Sequence, residues 1–360
     1  MKRLLFMSAA ATICGACMTE PELPPVQWEG QRIRFRSDEA LDSVCAGTLS
    51  HLDDRAAHMA EIFGAPRRVV DYVWAPGAAL GEYCELPTLG CAVDGRSYSV
   101  FALDEHELFH AVTSPPAHRG LEEGLAVAFG DDRELPGTVE GTDLPAILAE
   151  VGRTVQPAAQ DYPRLGHFVS YLRSNYGVGG LAELAANSEV ADGREQLDAS
   201  LQLAFGDHLE TVLDDYGAYP VCDSTHFHYD GFDCGRNIIP LPADGAPKLD
   251  STLRVACDEP ETLGPRSGEQ WTLVTLSVPA EGRYLLSVYP TNGVSANIRL
   301  RRCDASCAEV DDWLPPDGGF WMGLNPCLRQ GLYSLRLAVP VGTAGEFRIE
   351  ATRLDGGSCD

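Results

Sequence analysis

Lysine is almost missing from this 360-residue chain: only Lys2 and Lys248 are present, so nearly all of its positive charge is arginine. Basic residues number 27 against 53 acidic ones, a formal net charge of −26. That deficit excludes nucleic-acid binding through a basic surface. It fits solubility in an exported or high-salt setting, or attraction of cationic substrates. The shortage of lysine itself reads as genomic base bias rather than function. Also missing are an apolar run long enough to cross a membrane as a mature helix, a G-x-S-x-G nucleophile elbow and a P-loop. No internal repeat or low-complexity tract stands out, and no cysteines show the paired CxxC spacing of a zinc ribbon. What remains is ordinary globular composition, 44% hydrophobic and 22% charged, in a chain long enough for two domains.

The chain starts like an exported protein. Lys2 and Arg3 precede a short apolar stretch, Leu4 to Ala11, and small residues follow. Gly15-Ala16 directly before Cys17 resembles the bacterial lipobox, although Cys14 stands where that pattern usually has leucine. Residues 1–17 are therefore expected to be a lipoprotein-type signal, with cleavage as an ordinary signal peptide as the alternative. If lipidated, Cys17 attaches the chain to a membrane through residues 18–30, a Pro- and Glu-rich tether. Twelve cysteines are present; setting aside Cys14 and Cys17 leaves ten, enough for five disulfides in an oxidising compartment. Cys84 and Cys91, Cys222 and Cys234, and Cys303 and Cys307 are near neighbours suited to local pairing, but spacing does not fix connectivity.

Periodicity divides the remainder. Residues 32–35 alternate like a strand, 41–63 carry helical spacing, and 69–73 and 97–103 read as further strands. A helix is expected to open at the N-cap Asp104 and to stop before Pro115-Pro116, with a second from about Gly120 to Gly130. More helices are expected over 165–176, 180–186 and 197–216. Residues 31–235 thus form a mixed domain. Residues 236–250, holding three prolines, read as a linker. From 251 to 360, short alternating runs between Gly, Pro and Asn turns imply a small all-β sandwich. The run "EGRYLLSVYP" resembles the β-sandwich domains often appended to secreted bacterial peptidases.

The chemistry lies in "DEHELFHAV", where His106, Glu107 and His110 form an HExxH motif. Positions i and i+4 on a helix share a face, so both imidazoles can reach one cation while Glu107 projects beside them. With nine histidines in the chain the motif alone is only suggestive. The N-cap and the apolar Leu108, Phe109 and Val112 give it helical context. A catalytic zinc takes three protein ligands, and "RGLEEGLAVAFG", beyond the proline turn, offers Glu122 and Glu123.

Glu123-Gly124-Leu125-Ala126 after HExxH resembles the gluzincin metallopeptidases, in which a Glu-Gly-x-Ala glutamate binds the metal. The resemblance runs over about residues 60 to 220 and includes "YPRLGHFVSYLRSNY" and "AFGDHLETVLDDY". It implies one Zn2+ held by His106, His110 and Glu123, with Glu107 as general base. Glu122 competes as a ligand but breaks the match. Gly124 would let the two motif helices approach. Tyr162, or alternatively His167, is a candidate hydrogen-bond donor to the oxyanion, although each also fits a packed or polar helix residue. His118 and the pair His226 and His228 carry less weight; the pair fits a solvated loop between Cys222 and Cys234 better than a second metal site.

The expected fold class is therefore α+β: a mixed α/β gluzincin-like metallopeptidase domain followed by a β-sandwich. The expected function is a zinc-dependent peptidase acting on peptides or proteins, monomeric, exported and attached to the cell envelope or else secreted. A catalytically inactive peptidase-like surface lipoprotein used for binding is the alternative, and zinc capture a third. Glu107 argues for the enzyme, since a scaffold has no need of a base.

Overall fold

The computed structural model describes residues 21–354 and 359, apart from 67, 85–87, 114–117, 131–138, 140–142, 151–156, 189–192, 223–227, 244, 305 and 308–317. The signal segment 1–17 with Cys17, the Pro115-Pro116 turn and His226 lie outside the described residues. No described helix is long and apolar enough to cross a membrane.

The chain is mixed α+β. Its first sheet is built from β1 (Val26–Glu29), β2 (Ile33–Arg36), β3 (Val70–Trp74), β4 (Gly90–Val93) and β5 (Arg96–Ser99), in the order β1-β2-β3-β5-β4. The strands β2, β3 and β5 run parallel, flanked by the antiparallel edges β1 and β4. Residues 26–29, expected within the tether, thus pair with β2 instead of trailing free. Alternation sorts the side chains: Ile33, Phe35, Val70 and Tyr72 face the main core, while Val73 and Tyr98 join a smaller cluster with Leu80 and Cys84 on the other side.

Helices cover the first face. These are α1 (Thr48–Ile62), α2 (Glu105–Thr113), α3 (Arg119–Gly130), α4 (Leu144–Glu150), α5 (Tyr162–Asn187), α6 (Arg194–Phe205) and α7 (Leu209–Tyr216). The helices expected over 165–176 and 180–186 form the one element α5, bent at Gly177, whose φ of 73° lies in the left-handed region open to glycine. The helix expected over 197–216 is instead two, because Gly206 takes φ 80° and caps α6.

The second half holds β6 (Ile238–Pro240), β7 (Leu249–Val255), β8 (Thr262–Arg266), β9 (Glu269–Val278), β10 (Gly282–Pro290), β11 (Asn297–Arg302), β12 (Trp321–Leu324), β13 (Cys327–Leu328), β14 (Gly331–Pro340) and β15 (Gly345–Arg353). They make two sheets, β12-β10-β15-β7 with β13, and β11-β14-β9-β6 with β8, in a sandwich-like arrangement around a shared core that includes Val274, Leu286, Leu335 and Ile349. Part of the segment expected as linker is therefore structural: β6 pairs parallel with β9, and Leu241 enters the sandwich core. Along β9 the faces divide, Val274 and Leu276 pointing into that core and Trp271 and Leu273 into the helical one, so the strand is buried on both sides.

Five disulfides join the ten described cysteines outside the signal, as an oxidising, extracellular type of environment permits. Of the three local pairings expected, only Cys84–Cys91 forms. Cys222 pairs with Cys307 and Cys234 with Cys303, and these two bridges, with Cys45–Cys257, tie the helical half to the sandwich half. The remaining bridge, Cys327–Cys359, lies within the sandwich half.

Candidate metal centre

The site begins at the end of β5. Ser99 donates its hydroxyl to Asp104 Oδ2 at 2.6 Å, and the other oxygen of Asp104 accepts the Glu107 backbone N–H at 3.4 Å. Asp104 therefore caps α2 as the sequence suggested. Leu108 and Phe109 are buried on the core side of α2, where Phe109 meets the rings of Phe63 and Phe129. Another face then presents His106 and His110 one turn apart.

α3 comes close to α2 because both carry small residues or backbone at the contact. A Cβ at Gly130 would sit 2.4 Å from the Glu105 carbonyl oxygen. Gly124, expected to serve this same approach, faces α5 instead: its Cβ would lie 2.7 Å from the Leu165 carbonyl oxygen. Two glycines thus let one helix nestle between two others. At its start, His118 accepts the Gly120 N–H on Nδ1 at 3.2 Å and is fully buried, as a helix-capping residue.

The three residues expected as ligands converge. His106 Nε2 lies 3.3 Å from Glu123 Oε2, His110 Nε2 lies 3.2 Å from the same oxygen, and the two Nε2 atoms are 3.2 Å apart. All three side chains are buried. For a tetrahedral ion with 2.0–2.1 Å bonds to nitrogen and oxygen, adjacent ligand atoms stand about 3.3 Å apart. The triangle formed here has those edges. Its donor set, two imidazoles and one carboxylate, suits a borderline first-row cation.

Glu122, the competing candidate, does not join the triangle. Its Oε1 lies 3.0 Å from His110 Nδ1, on the far side of that ring. Arg119 spans the two carboxylates, with Nη1 3.2 Å from Glu122 Oε2 and Nη2 2.8 Å from Glu123 Oε1. Burial alone would lower the His110 pKa, but the Glu123 charge and hydrogen bonds with Glu122 and Glu123 outweigh it and hold it well above the ordinary value. Burial would likewise raise Glu123, yet the His110 charge and the bonds to both histidines hold its carboxyl well below the usual range.

Glu107 projects from α2 beside the triangle and is half-buried. Burial pushes its carboxyl up to about 7; the His106 charge opposes this, and the Asp104 charge adds to it. Room for it comes from the edge strand: a Cβ at Gly90 of β4 would approach Glu107 Cγ to 2.5 Å.

Tyr162, the first residue of α5, places its ring centroid 5.9 Å from that of His106. His167 does not reach the site. Its Nδ1 lies 2.9 Å from the Tyr216 hydroxyl and its Nε2 2.9 Å from the Pro220 carbonyl oxygen, and burial lowers its pKa. It is the packed polar histidine of the two readings. A further grouping, His167 with Cys222 and Cys307, offers no thiolate while those cysteines are bridged. His228 is buried rather than part of a solvated loop, and its flanking cysteines bond elsewhere.

The sequence reading missed Glu105. Buried next to His106, it faces His51 Nε2 at 2.6 Å with one oxygen and accepts from Arg55 at 2.8 Å with the other. Arg55 also pairs with Asp233 at 3.1 Å and lies over the Phe232 ring. This buried polar group fastens α2 to α1. The signal available was His51-x-x-x-Arg55, two polar residues one turn apart on the buried stripe of α1.

No family model and no curated protein matches the chain. Among solved structures, the pre-peptidase C-terminal domain of a collagenase from Bacillus anthracis is 16% identical, covering 32% of this chain and 93% of that one, at a TM-score of 0.21. PliG from Aeromonas hydrophila, a periplasmic inhibitor of g-type lysozyme, is 17% identical over 33% of this chain and 96% of its own, at a TM-score of 0.20.

Proposed function

We propose that this chain is a zinc-dependent peptidase of the gluzincin type, exported and held at the cell envelope through a lipid on Cys17. The observation that carries the reading is the buried triangle of His106 Nε2, His110 Nε2 and Glu123 Oε2 with Glu107 beside it. One Zn2+ fits that donor set and supplies Lewis acidity there. His106, His110 and Glu123 hold it. Glu107, its carboxyl near 7, takes the proton of the attacking water and returns it to the leaving amine. Such a role needs a group whose pKa lies near the working pH, which burial provides. Tyr162 offers a hydroxyl for the charge that develops on the scissile carbonyl oxygen. The five disulfides support an exported setting for this chemistry.

The test is a mixed peptide library digested by the purified chain before and after dialysis against a chelator. About one zinc per chain, cleavage lost on chelation and cleavage regained with added zinc are expected. Cleavage indifferent to the chelator, or bound zinc without any cleavage, would remove the peptidase reading.

A further inference from the structure

Glu122 and Glu123 are neighbours in sequence, yet they address opposite nitrogens of one ring. Glu123 Oε2 lies 3.2 Å from His110 Nε2, and Glu122 Oε1 lies 3.0 Å from His110 Nδ1. Both carboxylates are buried, and Arg119 binds one oxygen of each. In a neutral imidazole one nitrogen carries the proton and the other a lone pair. A cation held in the triangle would take the Nε2 lone pair, so the ring's proton would sit on Nδ1, where the Glu122 carboxylate accepts it. Nε2 is the nitrogen at the triangle, 3.2 Å from both His106 Nε2 and Glu123 Oε2. Arg119, holding Glu123 Oε1, leaves Oε2 as the oxygen that faces the histidines.

We propose that Glu122 is the positioning residue that fixes the tautomer and tilt of His110 for metal binding, and that Arg119 fixes Glu123 to present a single oxygen. This rests on the zinc reading above. It assigns Glu122 a role distinct from that of a ligand: it acts on the metal through the ring of His110. Partners of this kind are worth about 10–100-fold in metal affinity.

The experiment measures zinc affinity of the full exported chain by competition with a chromophoric chelator, for the wild type, Glu122→Ala, Glu122→Gln, Glu123→Gln and Arg119→Gln. Long-range proton–nitrogen correlation of the zinc-loaded chains reports the tautomer of His110. Glu122→Ala should bind zinc about 10–100-fold more weakly and lose the sheltered Nδ1 proton signal. Glu122→Gln, whose amide oxygen still accepts a hydrogen bond, should recover part of the affinity. Arg119→Gln should weaken binding with the His110 signal retained, and Glu123→Gln should weaken it most. Should Glu122→Ala fail to fold, the order of Glu122→Gln and Glu123→Gln together with the Nδ1 signal decides the question. Affinity in Glu122→Ala equal to wild type, or a loss in Glu122→Gln as large as in Glu123→Gln, would overturn the positioning role while leaving the zinc reading intact. A wild-type chain that takes up no zinc would overturn the zinc reading itself, and this inference with it.

Discussion

In α2 and α3, Glu105, His106, His110, Glu122 and Glu123 are all buried. On the sandwich sheet that carries β7, β10 and β15, the ion pair Arg348–Asp250 has side chains 41% and 49% exposed, and the residues turned inward are apolar. The α2–α3 pair and this sheet face share one chain and one oxidising environment but handle charge in opposite ways. Removing a carboxylate or an imidazole from water is costly unless partners replace the lost hydration. In the helical half those partners are present, with His51 and Arg55 on Glu105 and Arg119 on Glu122 and Glu123. Within this cluster His110 is held above its ordinary pKa and Glu123 below its own, a kind of shift that gathers at functional sites. Among the described residues, the core between the two β sheets holds no such cluster, and three disulfides fasten this half to the first.

That contrast is open to attack by substitution. The largest effect on stability is expected from Glu105→Ala, which removes the buried carboxylate that His51 and Arg55 share. Chemical denaturation should show a loss of about 3–5 kcal/mol, and a loss near zero would mean that the buried network is dispensable. Leu335→Ala in the sandwich core should cost about 2–5 kcal/mol by the same measurement, while zinc content stays at the wild-type level. Loss of zinc in that variant would show that the halves are not separable in function.

A subtler difference concerns pH. Burial lowers the pKa of His167, so the unfolded chain takes up its proton more readily than the folded one. The stability this provides is present above about pH 6.5 and is lost as the pH falls below it. The denaturation midpoint of the wild type should therefore drop more steeply from about pH 7.5 to about pH 5 than that of His167→Gln. Equal slopes would contradict the assignment. The smallest effect belongs to Asp250→Asn on the exposed sandwich pair, where the denaturation midpoint should not move measurably.

Much of the site was legible because it is local. The i, i+4 spacing of His106 and His110, the cap at Asp104 and the Glu-Gly-x-Ala helix need only neighbours along the chain, and the structure brings these residues together. Glu105 was not legible, since its partners His51 and Arg55 come from a helix about 50 residues earlier. Sequence alone leaves Glu122 a rival ligand, because only the crossing of α3 over α2 decides which nitrogen of His110 it meets. Gly124 was assigned the right task, close approach, against the wrong helix. In the fold, mixed α+β composition and the β-rich second half followed from periodicity. The strand Ile238–Pro240 and the long-range disulfides did not, because each depends on a partner distant in sequence, and the strand Val26–Glu29 sits in a Pro- and Glu-rich stretch although its partner β2 is the next strand along the chain.

The most direct test of the central claim compares zinc-loaded wild type with zinc-loaded Glu107→Gln on the same peptide library. The substitution keeps the side chain's shape beside Gly90 and leaves His106, His110 and Glu123 in place. Equal zinc content with cleavage reduced by about 10²–10⁴-fold is expected for loss of a general base. Equal cleavage by the two proteins at equal zinc content would contradict the account.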